Sequence, residues 1–203
     1  MRMASIPLFF FRSEKAAINY AGENAVLTHG DPRAADACRF YAALICGALQ
    51  GLSKYELLDP KFYRAYHFAP PLHLDVIKIA EGSYKKKNGY KDGIRGKGYV
   101  LDALEAALWG VWNDQDSFER GVLSVVNLGD DTDTTAAIYG QLAGALYRIK
   151  QIPERWIQTL FQGDFIITMA NWLYLGGELW WKENSPNALI ALHPGYTSSE
   201  SVH

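Results

Sequence analysis

The sequence predicts an all-α domain. Three observations carry that reading. Apolar residues recur every three to four positions over several long segments, cap residues open those segments, and no two alternating segments stand close enough to form a hairpin. At 203 residues the chain fits one large domain with a sizeable core, built as a multi-helix bundle without a visible 20- to 50-residue repeat.

"IPLFFF" (6–11) resembles a strand, as does "SVVNL" (124–128), but neither has a partner nearby. "DPRAADACRFYAALICGALQGLS" places Asp31 as an N-cap and Pro32 at the first helical position. Apolar positions then follow at Ala37, Phe40, Tyr41, Leu44, Ile45, Ala48 and Leu49, and Gly51 is placed to end the helix. "GSYKKKNGYKDGIRGKG" (82–98) holds five glycines and six basic residues and is expected as a mobile loop. It reads either as a solvated connector or as a basic flap near an anionic substrate. "GYVLDALEAALWGVWN" repeats the helical period. "DSFERGVLSVVNLG" opens with a capping arrangement, Asp116 to Glu119. "IPERWIQTLF" puts Pro153 in a first helical turn, and "DFIITMANWLYLGGELWW" follows. The tail "HPGYTSSESVH" lacks a helical pattern.

Composition excludes several function classes. The net charge of −2 provides no global field toward nucleic acid or a membrane surface. No apolar run reaches the ~20 residues that span a bilayer, and the N-terminus does not resemble a secretory signal. Cys38 and Cys46 lie eight positions apart in one helix, about 12 Å along its axis. They cannot pair with each other and read as reduced core thiols of a cytoplasmic protein.

The chemistry concentrates in "NLGDDTDTTAAIYGQLAGA" (127–145). Asp131, Asp133 and Thr134 stand at i, i+2 and i+3 where a helix should begin. Carboxylate and hydroxyl oxygens are hard donors that suit Mg²⁺ or Mn²⁺. Helix capping needs only one such residue, whereas clustered aspartates repel one another unless a cation compensates them. The small residues Ala136, Ala137, Gly140, Ala143 and Gly144 are expected to let neighbouring backbones approach this helix closely. An EF-hand loop counted from Asp131 would need Gly and Glu where Ala136 and Leu142 stand. "DTDTT" also satisfies the D-x-D-x-T pattern of haloacid-dehalogenase-like phosphatases, but that pattern should follow a buried strand.

"VNLGDDTDTTAAIYGQLAGALY" followed by "IPERW" resembles the C-terminal signature of the ADP-ribosylglycohydrolases, the family that includes dinitrogenase-reductase-activating glycohydrolase. "LFFFRSEKAAINYAGENAVLTHGDPRAADACRFYAALICGAL" and "GKGYVLDALEAALWGVWNDQDSFERGVL" are similar to the family's preceding segments. The resemblance implies a family-type helical domain over 1–183, followed by an irregular tail over 184–203. It implies an all-α bundle with a two-metal Mg²⁺ or Mn²⁺ centre that hydrolyses the glycosidic bond of ADP-ribose on a protein or small molecule. Carried over residue by residue, it implies Asp131, Asp133 and Thr134 as metal ligands, with Asp131 and Asp133 catalytic. It also implies His29, Gly98, Tyr99 and Val100 beside the ADP-ribose.

The family's Thr-Asp-Asp motif, its guarding glutamate and its Gly-Asn-Gly-Ser loop have no counterpart here. Asp36, Asp59, Asp75 and Asp92 are isolated acids. The expectation is therefore an N-terminally truncated member, weakly active alone, with a partner chain supplying the missing segment. The alternative is a non-catalytic ADP-ribose-binding module.

Overall fold

The computed structural model describes residues 1–185; of the tail expected over 184–203, Asn184 instead ends a helix and the residues after Ser185 lie outside the described residues. In chain order the helices are α1 (Ser5–Phe10), α2 (Glu14–Val26), α3 (Pro32–Leu49), α4 (Lys54–Leu57), α5 (Pro60–Ala65) and α6 (Leu74–Ala80). After a 3₁₀ turn at Gly89–Asp92 come α7 (Val100–Asn113), α8 (Phe118–Val126), α9 (Thr132–Tyr147), α10 (Glu154–Thr159) and α11 (Gly163–Asn184). The described residues contain no strand, so the fold is all-α. Both strand-like segments are helical: "IPLFFF" lies largely within α1, and Ser124–Val126 ends α8.

The bundle is centred on α3. Asp31 caps it by accepting the Arg33 N–H, Pro32 opens it, and Gly51 follows it with φ of +101°. Its apolar face buries Phe40, Leu44 and Ile45 against α2, α7 and α9. The Tyr41 hydroxyl donates to the Ile138 carbonyl, joining α3 to α9.

α9 is buried through Ile138, Tyr139, Leu142 and Ala143. Its glycines do not provide the close approach expected of them, since a Cβ at Gly140 or Gly144 would meet nothing within 4 Å. The close approach is made by α8 instead. A Cβ on Gly121 would stand 1.9 Å from the Tyr139 hydroxyl, so only glycine lets that ring pass.

Beneath this contact Asp114 is fully buried. Its carboxylate accepts from Lys54 Nζ at 2.7 Å, from Tyr147 Oη at 2.8 Å and from Tyr139 Oη at 3.3 Å. A buried charge persists only when paired and hydrogen-bonded in this way. Asp116 is drawn to Lys54, 2.8 Å away, so α8 is capped one residue later than expected, by Ser117.

The basic segment 82–98 is anchored rather than loose. Tyr84 and Ile94 are buried, and the Trp109 indole N–H donates to the Lys86 carbonyl at 2.8 Å. Glycine here serves close packing: a Cβ on Gly96 would stand 2.6 Å from Thr135 Oγ1.

Candidate functional site

The turn that opens α9 is built by backbone conformation. Gly129 and Asp130 both adopt left-handed φ values, +78° and +61°. That conformation costs a non-glycine residue but suits Asp better than most. Asp131 then takes the N-cap position of α9, yet its carboxylate makes no cap hydrogen bond. Its main chain does the structural work: the N–H donates to the Gly96 carbonyl at 2.7 Å, and the carbonyl accepts from Thr135 Oγ1 at 2.9 Å. The carboxylate is thereby left for other partners.

The Asp133 carboxyl, which is exposed, accepts the Thr134 N–H at 2.9 Å. Its pKa lies below the ordinary carboxylate value, first because the Asp131 carboxyl is within hydrogen-bonding reach and second because of the Thr134 N–H. Neighbouring carboxylates repel when both are ionised, a repulsion that a bound cation would offset. Asp131, Asp133 and Thr134 supply hard oxygens, a donor set compatible with a hard cation such as Mg²⁺ or Mn²⁺. Among the described residues no three His, Cys, Asp or Glu side chains converge as a complete metal cage.

A cleft of about 260 Å³ lies beside this turn. Its lining brings together Asp131, Thr134, His29, Gly98 and Val100. Gly98 is close enough that a Cβ there would meet Asp131 Oδ2 at 3.4 Å. His29 is exposed at the end of α2, with Nδ1 2.8 Å from Thr28 Oγ1. Asp133 and Tyr99 are not part of the lining. Tyr99 stands at the N-cap position of α7, where its ring lies under the Arg33 guanidinium at 5.6 Å.

Sequence reasoning missed Arg2, Asn24 and Cys38 as lining residues. A signal for two of them existed. Asn24 and Thr28, Ala34 and Cys38, and Thr134 and Ile138 are i, i+4 pairs, each presenting one helix face to the cleft. Cys38 is half-buried there rather than in the core, while Cys46 is fully buried; both thiols are free. The four isolated acids are committed elsewhere. Asp36 binds Arg39 and the His73 N–H, Asp59 caps α5, Asp75 pairs with Lys78, and Asp92 holds Asn88.

Comparison with known proteins settles the lineage. The family model described as ADP-ribosylglycohydrolase matches residues 1–183. The chain belongs to the ADP-ribosylglycohydrolase family. Among curated members it is 35% identical over 174 residues to the ADP-ribosylarginine hydrolase Tri1 of Serratia proteamaculans (strain 568). It is 36% identical over 174 residues to the Tri1 of Pseudomonas putida (strain GB-1). These alignments cover 86% of this chain but only 45% and 44% of the relatives, so the chain spans under half their length. A solved structure titled "ADP-ribosylglycohydrolase-related protein complex" superimposes with a TM-score of 0.75 at 32% identity, covering 85% of this chain and 57% of that one. The phosphatase reading of "DTDTT" falls away on fold as well as lineage, because Asp131 follows α8 and not a strand.

Proposed function

We propose that this chain contributes the cation- and ADP-ribose-binding face of a hydrolase that cleaves the glycosidic bond between ADP-ribose and its acceptor. The observation that carries this reading is the Asp131 carboxylate, which sits at an N-cap position without capping and lines one cleft with His29 and Gly98. The two Tri1 relatives favour an arginine side chain as the acceptor.

Asp131, Asp133 and Thr134 would hold Mg²⁺ or Mn²⁺. When bound, such a cation orients the ribose hydroxyls and acidifies a water for attack on an oxocarbenium-like centre. The chain's own residues do the positioning. The Gly96 carbonyl fixes the turn, Gly98 leaves room beside Asp131, and Thr28 with His29 offers polar groups at the rim. Val100 and Ile138 supply apolar wall. Three protein oxygens fill about half of an octahedral shell. Further donors would come from water, from substrate, or from a polypeptide carrying a Thr-Asp-Asp motif. The same shortfall favours ADP-ribose binding without turnover as the second reading.

The test is release of free ADP-ribose from ADP-ribosylarginine with Mg²⁺ or Mn²⁺. Weak or no turnover is expected from the chain alone. A polypeptide bearing the Thr-Asp-Asp motif should raise it, and Asp133→Ala should abolish the gain. Full cation-independent turnover, or a gain that survives Asp133→Ala, would overturn the assignment.

A further inference from the structure

We infer that segment 82–98 is a docking edge for acidic polypeptide surrounding the modified side chain; this rests on the ADP-ribosyl hydrolase reading above. The segment carries Lys85, Lys86, Lys87, Lys91, Arg95 and Lys97 against a single carboxylate, Asp92, in a chain of net charge −2. Among the described residues none of these six cations forms an ion pair with a carboxylate. The Asp92 carboxylate is engaged with the Asn88 main chain and side chain. Lys87, Lys91 and Lys97 are exposed.

The backbone that carries these charges is held in place. Tyr84 and Ile94 are buried on either side of the 3₁₀ turn, and Trp109 grips the Lys86 carbonyl. Arg95 donates to the Ile94 carbonyl and lies over the Tyr90 ring at 3.6 Å. An anchored backbone beneath these cations costs less ordering on binding than a flexible loop would. It meets an acidic surface with complementary charge and hastens encounter.

Two features direct this edge at the acceptor rather than at the nucleotide. Lys86, Lys87 and Lys91 are absent from the cleft lining, so the edge they form lies outside the cleft itself. Yet the segment runs into the cleft, since Gly96 bonds to Asp131 and Gly98 lines it. The exposed Lys97 lies between them. A polypeptide whose modified side chain enters the cleft can therefore lay flanking residues on the basic edge. A nucleic acid is the weaker fit, because its continuous phosphates would also meet the acidic remainder of the chain.

The test is fluorescence anisotropy with four probes. They are an ADP-ribosylarginine peptide flanked by glutamates, the same peptide flanked by glutamines, the unmodified glutamate peptide and free ADP-ribose. A single-stranded oligonucleotide of equal charge serves as competitor. Proteins are the wild type, Lys86→Glu/Lys87→Glu/Lys91→Glu, and the corresponding triple Gln variant with an unchanged melting temperature. The glutamate-flanked peptide should bind about tenfold tighter than the glutamine-flanked one at low salt, as expected of a few exposed charge contacts. Added salt should erase that difference. Both variants should lose it while binding free ADP-ribose as the wild type does.

Equal binding of the two modified peptides would overturn the inference. So would an equal loss for free ADP-ribose, or an oligonucleotide that displaces the glutamate peptide at equal concentration. Absence of ADP-ribose binding, with salt-sensitive binding of the unmodified glutamate peptide that both variants lose, would instead break the hydrolase reading alone.

Discussion

Asp131 donates its backbone N–H to the carbonyl oxygen of Gly96 at 2.7 Å. This bond joins the turn that opens α9 to the basic segment that precedes α7. One wall of the cleft therefore depends on a glycine 35 positions upstream.

Gly96→Ala tests that dependence. The added methyl would meet Thr135 Oγ1 at 2.6 Å and push the segment from α9. A loss of about 1–3 kcal/mol is expected, as for overpacking of a tight contact. Urea denaturation measures it, and ADP-ribose affinity should fall in parallel. An unchanged midpoint and affinity would show that the two segments move independently.

Asp114→Ala should be far more damaging. It removes the buried carboxylate shared by Lys54, Tyr139 and Tyr147, leaving Lys54 only the exposed Asp116 and Tyr139 only the Phe118 carbonyl. Breaking one side of a buried ion pair costs about 3–5 kcal/mol. Asp116→Ala also removes a Lys54 partner, but that carboxylate is 61% exposed, so at most about 1 kcal/mol should be lost. Comparable losses for the two variants would contradict the assigned burial.

Stability should fall at alkaline pH. Burial pushes the Cys46 thiol up from 9.0 to about 12. Burial first, then the Asp114 carboxylate, raises the Tyr139 and Tyr147 hydroxyls. A group whose pKa rises on folding contributes its stability below its unfolded value and loses it as pH climbs toward the folded one. Denaturation midpoints should therefore be level to about pH 8 and decline from about pH 9 upward, the range in which unfolded thiols and phenols ionise. Level midpoints to pH 11 would contradict this.

Much of the fold was legible because its signals are local. Asp31, Pro32 and Gly51 mark α3 within a few residues of its ends. What escaped depends on distant partners. Asp116 looked like a cap until Lys54, more than sixty positions earlier, claimed it. The segment 82–98 looked mobile from its glycines, but Tyr84 and Ile94 find core sites that no local pattern reveals. The site was partly legible for the same reason. Asp131 and Thr134 are neighbours in sequence, whereas Arg2 reaches the cleft only through folding.

The outer face of α11 leaves Phe165, Trp172, Leu175 and Leu179 more than half exposed. Contiguous apolar surface of this kind marks a contact site or an association hazard. The chain should bind a hydrophobic dye and self-associate in light scattering, and Phe165→Glu with Leu175→Glu should remove most of both signals. A dye-silent monomer would count against this exposed surface.

The proposed function requires a hard cation and ADP-ribose to share the cleft at the start of α9. Mn²⁺ titration followed by paramagnetic broadening of backbone amide resonances tests it most directly. Broadening should centre on Asp131–Thr134 and Gly98, extend to His29, strengthen with ADP-ribose present and vanish in Asp131→Ala. Broadening centred elsewhere, or unchanged in Asp131→Ala, would contradict the account.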